Sequence, residues 1–459
     1  MNEQYGQGGI YVPPGQEYPA PVTEPPRPAE PDLTADMKKT YNRGGLFMLI
    51  VYGVMAVVST VVLYLSVIPV IAGLFLDGSM QPALESAAEK MMNGDLSGYL
   101  SDLMNIVSSS MISGSLFIVL GIVIGSALGL GGGMLIGKLV LRKAPFLPPE
   151  KKKLSPGSFL FYLLCAYGLW GIGVFFGNWP LIAFGLSSAA DSVTQLIGDN
   201  IIPYLLYAVI GAPVLEELAC RKLLLDRLRV FGELPAAFVT ALIFGLFHGN
   251  SGQFFLAFNL GLLFAVVYMK TGKIVYTMLL HAAINLTGSL DGILYLFGVE
   301  TVGGIPFSTI LFSFIAFLGV AGGIFLIVAL ARRSEKLRLE PTKLPGANRA
   351  IFKNPGMIIM LIFFTVNLVS TDFISLVMNL FAGRAPEALT ILIPTGFAVA
   401  LVSLLTAKVG TRRAETYEPV YVPAGDPAAD APVSVQPETE APAGQNAEGE
   451  PQSGSGSEE

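Results

Sequence analysis

GLFMLIVYGVMAVVSTVVLYLSVIPVIAGLFL, residues 45–76, contains no Asp, Glu, Lys, Arg or His. Wound as a helix, such a run reaches about 48 Å at 1.5 Å per residue, beyond the roughly 30 Å of a bilayer's hydrocarbon. Lys38, Lys39 and Arg43 stand just before it. A secretory signal starts with a few positives and a short apolar stretch, whereas this run is long and follows a Pro-, Gly- and Glu-rich segment, so it reads as a membrane helix. Outward from it, apolar runs recur at about 111–141, 158–187, 200–220, 234–249, 253–269, 274–290, 305–331, 357–382 and 388–407. The predicted fold is therefore all-α: a polytopic transmembrane helical bundle of about ten spans. The short fifth and sixth runs also fit one re-entrant unit.

Composition agrees. The 459 residues are 53% hydrophobic and 14% charged, with mean hydropathy +0.62, which rules out a soluble globular protein. The net charge of −6 hides an uneven distribution. Six acids and one base (Arg27) lie in residues 1–36, ten acids and no base follow Arg413, and the body between carries 27 bases against 18 acids. Both ends, residues 1–36 and 414–459, have too little apolar content to repay the entropy of ordering and are expected to be disordered acidic tails. The basic body is cut up by uncharged spans, so its charge belongs to loops beside lipid, and no nucleic-acid partner is expected. With a cytoplasmic N-terminus, 26 of the 28 Lys and Arg fall inside and only Lys90 and Arg384 outside. Both termini are thus expected in the cytoplasm of an integral, multi-pass protein, in the plasma membrane if the source is bacterial. Residues 81–107 read as an external amphipathic loop at the membrane surface. Gly121, Gly125, Gly129 and Gly131–Gly133 suggest close helix packing rather than a phosphate loop. Cys165 and Cys220 lie in apolar runs and imply no disulfide framework.

Ionisable groups inside spans are costly, and each is a functional candidate until paired. The fourth run carries Glu216, Glu217 and Arg221 in APVLEELACRKLL, the fifth ends in ALIFGLFHGN with Phe244 and His248, and the seventh has His281 and Asn285 in LLHAAINLTG. Glu217 and Arg221, i,i+4 with the acid first, are expected to pair, whereas Glu216 lies about 100° around the helix, without that cation. The rival is a solvated cytoplasmic helix end. Gly232 is a plausible turn tip among Asp226, Arg227, Arg229 and Glu233, with Glu216 sixteen residues before it and His248 sixteen after, which puts both at one level of a helical hairpin. A Glu and a His at one level can hold and deprotonate water, while His281 and Asn285 on one face offer donors to a developing oxyanion. Phe244, one turn before His248, is expected to orient its ring.

At these residues the chain resembles the CPBP intramembrane proteases, the CAAX proteases and bacteriocin-processing enzymes also called Abi proteins. The family signatures EExxxR, FxxxH and HxxxN read here as EELACR at 216–221, FGLFH at 244–248 and HAAIN at 281–285, in family order on separate spans. The resemblance covers roughly residues 158–330. It implies a glutamate-type endopeptidase in which Glu216 and His248 activate water and His281 and Asn285 form the oxyanion site, with Glu217 and Arg221 in supporting positions. It also implies a peptide or membrane-anchored protein as substrate; type II CAAX prenyl endopeptidases of the family remove a C-terminal tripeptide from prenylated proteins, and bacterial relatives are implicated in peptide maturation, self-immunity and membrane-protein processing. The expected organisation is then a tail at 1–36, two accessory helices with the external loop at 37–157, a protease core at 158–331, a basic cytoplasmic loop with two accessory helices at 332–413, and the tail at 414–459. Oligomeric state is not legible.

Two rivals remain. A zinc metalloprotease of the same family would use the histidines and carboxylates as ligands, but the chain lacks HExxH and its histidines are 33 residues apart; the expectation is no cofactor, with zinc kept as the alternative. A transporter or scaffold would employ the buried Glu, Arg and Asp372 in an ion path, yet no internal repeat is visible. Asp372 is expected to be structural or near the outer interface.

Overall fold

The computed structural model describes residues 33–381, apart from 77, 79–80, 108–115, 185–200, 299–300, 343 and 345, together with 395, 399 and 400. Residues 1–32, the C-terminal tail, Arg384, the basic cluster at 408–413 and nearly all of the run at 388–407 lie outside them. The described part is helical throughout, with one short antiparallel pairing of β1 (Thr301–Val302) and β2 (Ile305–Pro306).

Seven of the described helices are long and apolar enough to cross a bilayer, and the protein is an integral membrane protein. In chain order, α1 (Leu33–Leu76) is followed by α2 (Gln81–Met92) and α3 (Leu96–Val107), then α4 (Leu116–Leu141), α5 (Pro156–Phe184) and α6 (Ile201–Phe231). Next come α7 (Glu233–Phe247), α8 (Ser251–Thr271), α9 (Ile274–Gly288) and α10 (Leu290–Leu296), then α11 (Phe307–Ala331), α12 (Ala347–Phe352) and α13 (Pro355–Phe381). Helix α1 begins inside the stretch read as tail. Its first turn holds Asp36, which suits a helix N-terminus and pairs with Lys39 at 3.5 Å.

Residues 81–107 form the hairpin α2–α3, closed by Lys90 Nζ and Ser86 Oγ, which both donate to Asp102 at 2.8 Å. The glycine run of α4 packs face to face on α1. A Cβ on Gly125, Gly129 or Gly133 would come within 3.0 Å of the backbone of Ser59, Met55 or Val51, while Gly131 has nothing within 4 Å. This four-residue spacing is the close approach expected for a helix pair in lipid.

Helix α8 is the central element, with buried residues around its whole circumference. One apolar core joins it to α1, α6, α7, α12 and α13, and a second joins it to α5, α9 and α11. Around it stand α7 and α9, each 15 residues long, about 22 Å and too short for the hydrocarbon layer. Helix α7 stops at His248, and Gly249 at φ 68° turns the chain into α8. The fifth and sixth apolar runs are thus a short helix followed by one long enough to span.

Candidate active site

Helix α6 carries two departures from α winding. Tyr207–Gly211 and Leu218–Leu225 are π-helical and bracket the α-helical stretch Ala212–Glu217. Such insertions are rare and concentrate at functional sites. They turn the wheel argument for Glu216 into a local one, because residues on either side of an insertion change angular register.

Glu217 Oε1 lies 3.2 Å from Arg221 Nη1 and 3.3 Å from His281 Nδ1. Arg221 sits between two rings, its Cζ 4.8 Å from the Phe244 centroid and 5.4 Å from that of Phe264, and its Nη2 donates to Gly261 O at 3.2 Å. Both charged side chains are essentially inaccessible, at 0% and 1%, which excludes a solvated helix end. The solvated reading fails for Asp226 too: it is fully buried, 2.8 Å from Lys222 Nζ, and accepts from Tyr268 Oη at 3.1 Å. An ion left unpaired in this setting costs several kcal/mol, so the pairs are required by burial.

His281 joins two helices. Glu217, ionised beside Arg221, can only accept, so Nδ1 of His281 carries the proton between them. The other nitrogen, Nε2, faces Glu216 Oε2 at 3.8 Å, close enough for an ion pair and too long for a hydrogen bond. Glu216 is mostly enclosed, and its Oε2 has no hydrogen-bond donor among the described residues. Phe264 and Phe244 pack their rings 5.4 and 5.7 Å from the His281 ring.

Phe244 also packs edge-on against His248, centroid to centroid 5.1 Å. His248 Nδ1 lies 2.8 Å from Phe244 O; a carbonyl accepts only, so the proton is on Nδ1 and Nε2 keeps its lone pair. No hydrogen bond or ion pair joins His248 to Glu216 among the described residues. Asn285 Nδ2, one turn beyond His281 on α9, donates to Ala208 O at 2.7 Å.

The structure therefore gathers Glu216, Glu217, Arg221, Phe244 and His281 into contiguous contact, sets His248 one ring away through Phe244, and puts Asn285 on the first π segment of α6. Sequence reasoning missed Phe264 and the Gly261 carbonyl, for which there was no signal beyond a generic apolar span. It also missed the π segments. Asp372 stands apart, accepting Ser251 N–H at 3.2 Å and Thr395 Oγ1 at 2.6 Å, as a cap on the first turn of α8. Among the described residues no three His, Cys, Asp or Glu side chains stand at metal-holding spacing.

Residues 198–287 match the family model of type II CAAX prenyl endopeptidase, Rce1-like. Over these residues the chain is similar to that family. It contains every residue of the cluster described above, from Ala208 to Asn285. Comparison with curated proteins and with solved structures returns no match to the chain. The matched residues take in α6 to α8 and all but the end of α9, and helices α1 to α5 and α10 to α13 lie outside them.

Proposed function

We propose that the protein is an intramembrane endopeptidase that hydrolyses a peptide bond of a membrane-associated peptide or protein, with Glu216 as the general base. The observation that carries the reading is the Glu216 carboxylate, enclosed, without a hydrogen-bond donor on Oε2, and 3.8 Å from His281 Nε2, inside the Rce1-like segment. An enclosed acceptor with no donor is what a base needs to receive a water proton.

A water between Glu216 and the lone pair on His248 Nε2 gives its proton to Glu216 as its oxygen adds to the scissile carbonyl. Negative charge then grows on the carbonyl oxygen and is met by Nε2–H of His281 and an N–H of Asn285. The proton on Glu216 passes to the departing amine, which balances the hydrolysis. Donation from Nε2 while Nδ1–H is held by Glu217 uses both ring nitrogens of His281 as donors. The Glu217–Arg221 pair would thus hold the ring that answers the oxyanion.

The name of the matched family directs the choice of probe: a quenched fluorescent peptide ending in farnesyl-Cys followed by three residues. Purified wild-type protein should cleave it before the tripeptide, Glu216→Gln should abolish cleavage, and His248→Gln and His281→Ala should each lower turnover by about 10² to 10³. Full turnover by Glu216→Gln would end the glutamate-base reading. Retention of activity after exhaustive chelation separates this mechanism from the zinc alternative, and loss restored by zinc would favour that alternative. Both termini in the cytoplasm, with the site opening toward that side, complete the proposal; cysteine labelling at residues 38 and 273 from each face checks it.

A further inference from the structure

Pro213 sits just after the first π segment of α6, at the second position of the α-helical stretch Ala212–Glu217. The winding there is i→i−5, since Ala212 N–H bonds Tyr207 O. Continued by one residue, the next bond would run from the amide of residue 213 to the carbonyl of Ala208. Proline has no N–H. The Ala208 carbonyl is therefore orphaned by the sequence itself, in a helix that crosses lipid, where an unmet carbonyl is costly. The donor that meets it comes from another helix: Asn285 Nδ2, at 2.7 Å.

We propose that Pro213 is a positioning residue for catalysis, acting through Asn285: by withholding its own N–H it leaves the Ala208 carbonyl to orient the Asn285 amide. The inference rests on the endopeptidase reading above, in which Asn285 answers the oxyanion. A carboxamide has two N–H donors. With one committed to Ala208 O, the amide cannot flip, since the reversed group would set its own oxygen against a carbonyl. The second N–H is then fixed for the substrate, one helical turn from His281. Preorganised donors of this kind act without reorganising during the reaction. The same bond ties α9 to α6 at the π segment, four residues along α9 from the His281–Glu217 contact. The two groups proposed to meet the oxyanion are thus each anchored to α6, one by a side chain and one by a backbone carbonyl. A proline a few residues before an intramembrane Glu pair has a bland reading as a mere helix irregularity. That reading does not require the missing bond and the donor to coincide on one atom.

The proposal is tested with Pro213→Ala, which restores an N–H able to bond Ala208 O in competition with Asn285. On the farnesylated probe, kcat should fall about tenfold or more with KM changed less than twofold. Thermal stability should hold or rise, because alanine is the better helix former. Asn285→Ala should lower kcat by about 10² to 10³, and the double variant should be no slower than Asn285→Ala alone, because both act through one amide. A Pro213→Ala enzyme with wild-type kcat, or single effects that multiply in the double variant, would overturn the proposal. An Asn285→Ala enzyme with full turnover would instead sink the oxyanion reading on which it stands. A measurement independent of turnover uses protein labelled with 15N-asparagine. The Asn285 side-chain amide protons should be widely separated in wild type and collapse toward each other in Pro213→Ala, or in Pro213→Ser should the alanine variant not fold. An unchanged pair would refute the competition.

Discussion

Arg221→Met separates the structural from the chemical side of the buried ion pair. Arg221 holds Glu217 at 3.2 Å, donates to Gly261 O, and stacks between Phe244 and Phe264, with no exposure to solvent. Methionine keeps much of the volume and the apolar contact with both rings but leaves Glu217 as an unmatched buried carboxylate. Removing one member of a buried pair costs about 3–5 kcal/mol. The lost bond to the Gly261 carbonyl adds roughly 1.5–3 kcal/mol as a charge-assisted hydrogen bond, partly offset by relaxation or protonation of Glu217. A net loss of about 3–5 kcal/mol is therefore expected. Adding Glu217→Gln removes the stranded charge while keeping an acceptor for His281 Nδ1, and should return at least about 2 kcal/mol of this. The assay is reversible unfolding in mixed detergent, followed beside cleavage of the farnesylated probe. The expected order of stability is wild type, then the double variant, then Arg221→Met, while both variants lose turnover because His281 Nδ1 is no longer held by an ionised partner. Equal stability of Arg221→Met and wild type would mean that Glu217 is not ionised in the folded protein, and its role in holding His281 Nδ1 would fall with it.

Gly129→Ala places a Cβ 2.8 Å from Met55 Cα and should destabilise the α1–α4 pair by about 1–3 kcal/mol, whereas Gly131→Ala, facing open space, should be neutral or slightly stabilising in the same unfolding assay. Asp372→Ala removes both acceptors of Ser251 N–H and should cost about 1–2 kcal/mol, with Asp372→Asn in between; a variant as stable as wild type would refute the capping role. In the α2–α3 hairpin, the hydrogen bond from Lys90 and then that from Ser86 hold the Asp102 carboxyl below its ordinary range. A lowered carboxyl stabilises the folded hairpin above its unfolded titration point and loses that contribution as pH falls through the folded one. Hydrogen exchange in residues 81–107, corrected for intrinsic rate, should accelerate on acidification in wild type and show no such step in Asp102→Asn.

The spans were legible because lipid imposes a crude rule: twenty apolar residues, with charges at the ends. The Glu217–Arg221 pair was legible for a related reason, since an acid and a base four apart in an apolar run have few other partners. The meeting of His281 with Glu216 and Glu217 was only partly so. Equal counts from Gly232 put Glu216 and His248 at one depth, but depth does not fix azimuth, and the two π segments of α6 change the azimuth by an amount that no periodicity in the sequence records. The contact of Glu216 therefore falls on His281, with His248 reached across the Phe244 ring. Pro213 carried a signal that could have been read. A proline inside a membrane helix orphans a carbonyl, and an asparagine in a neighbouring span is a natural donor. Phe264 and Gly261 carried none, because an aromatic ring or a carbonyl facing a guanidinium looks, in one dimension, like any other part of an apolar helix.

Hydrolysis of a peptide bond by way of Glu216 leaves new peptide termini, and comparing them tests it. Membranes bearing wild-type protein and membranes bearing Glu216→Gln, matched for expression and for folding by the unfolding assay, would be incubated with membrane-anchored proteins and analysed by mass spectrometry of all new N- and C-termini. Wild type alone should produce a set of termini that share a sequence or lipid context defining the substrate. Identical termini in both membranes would contradict it.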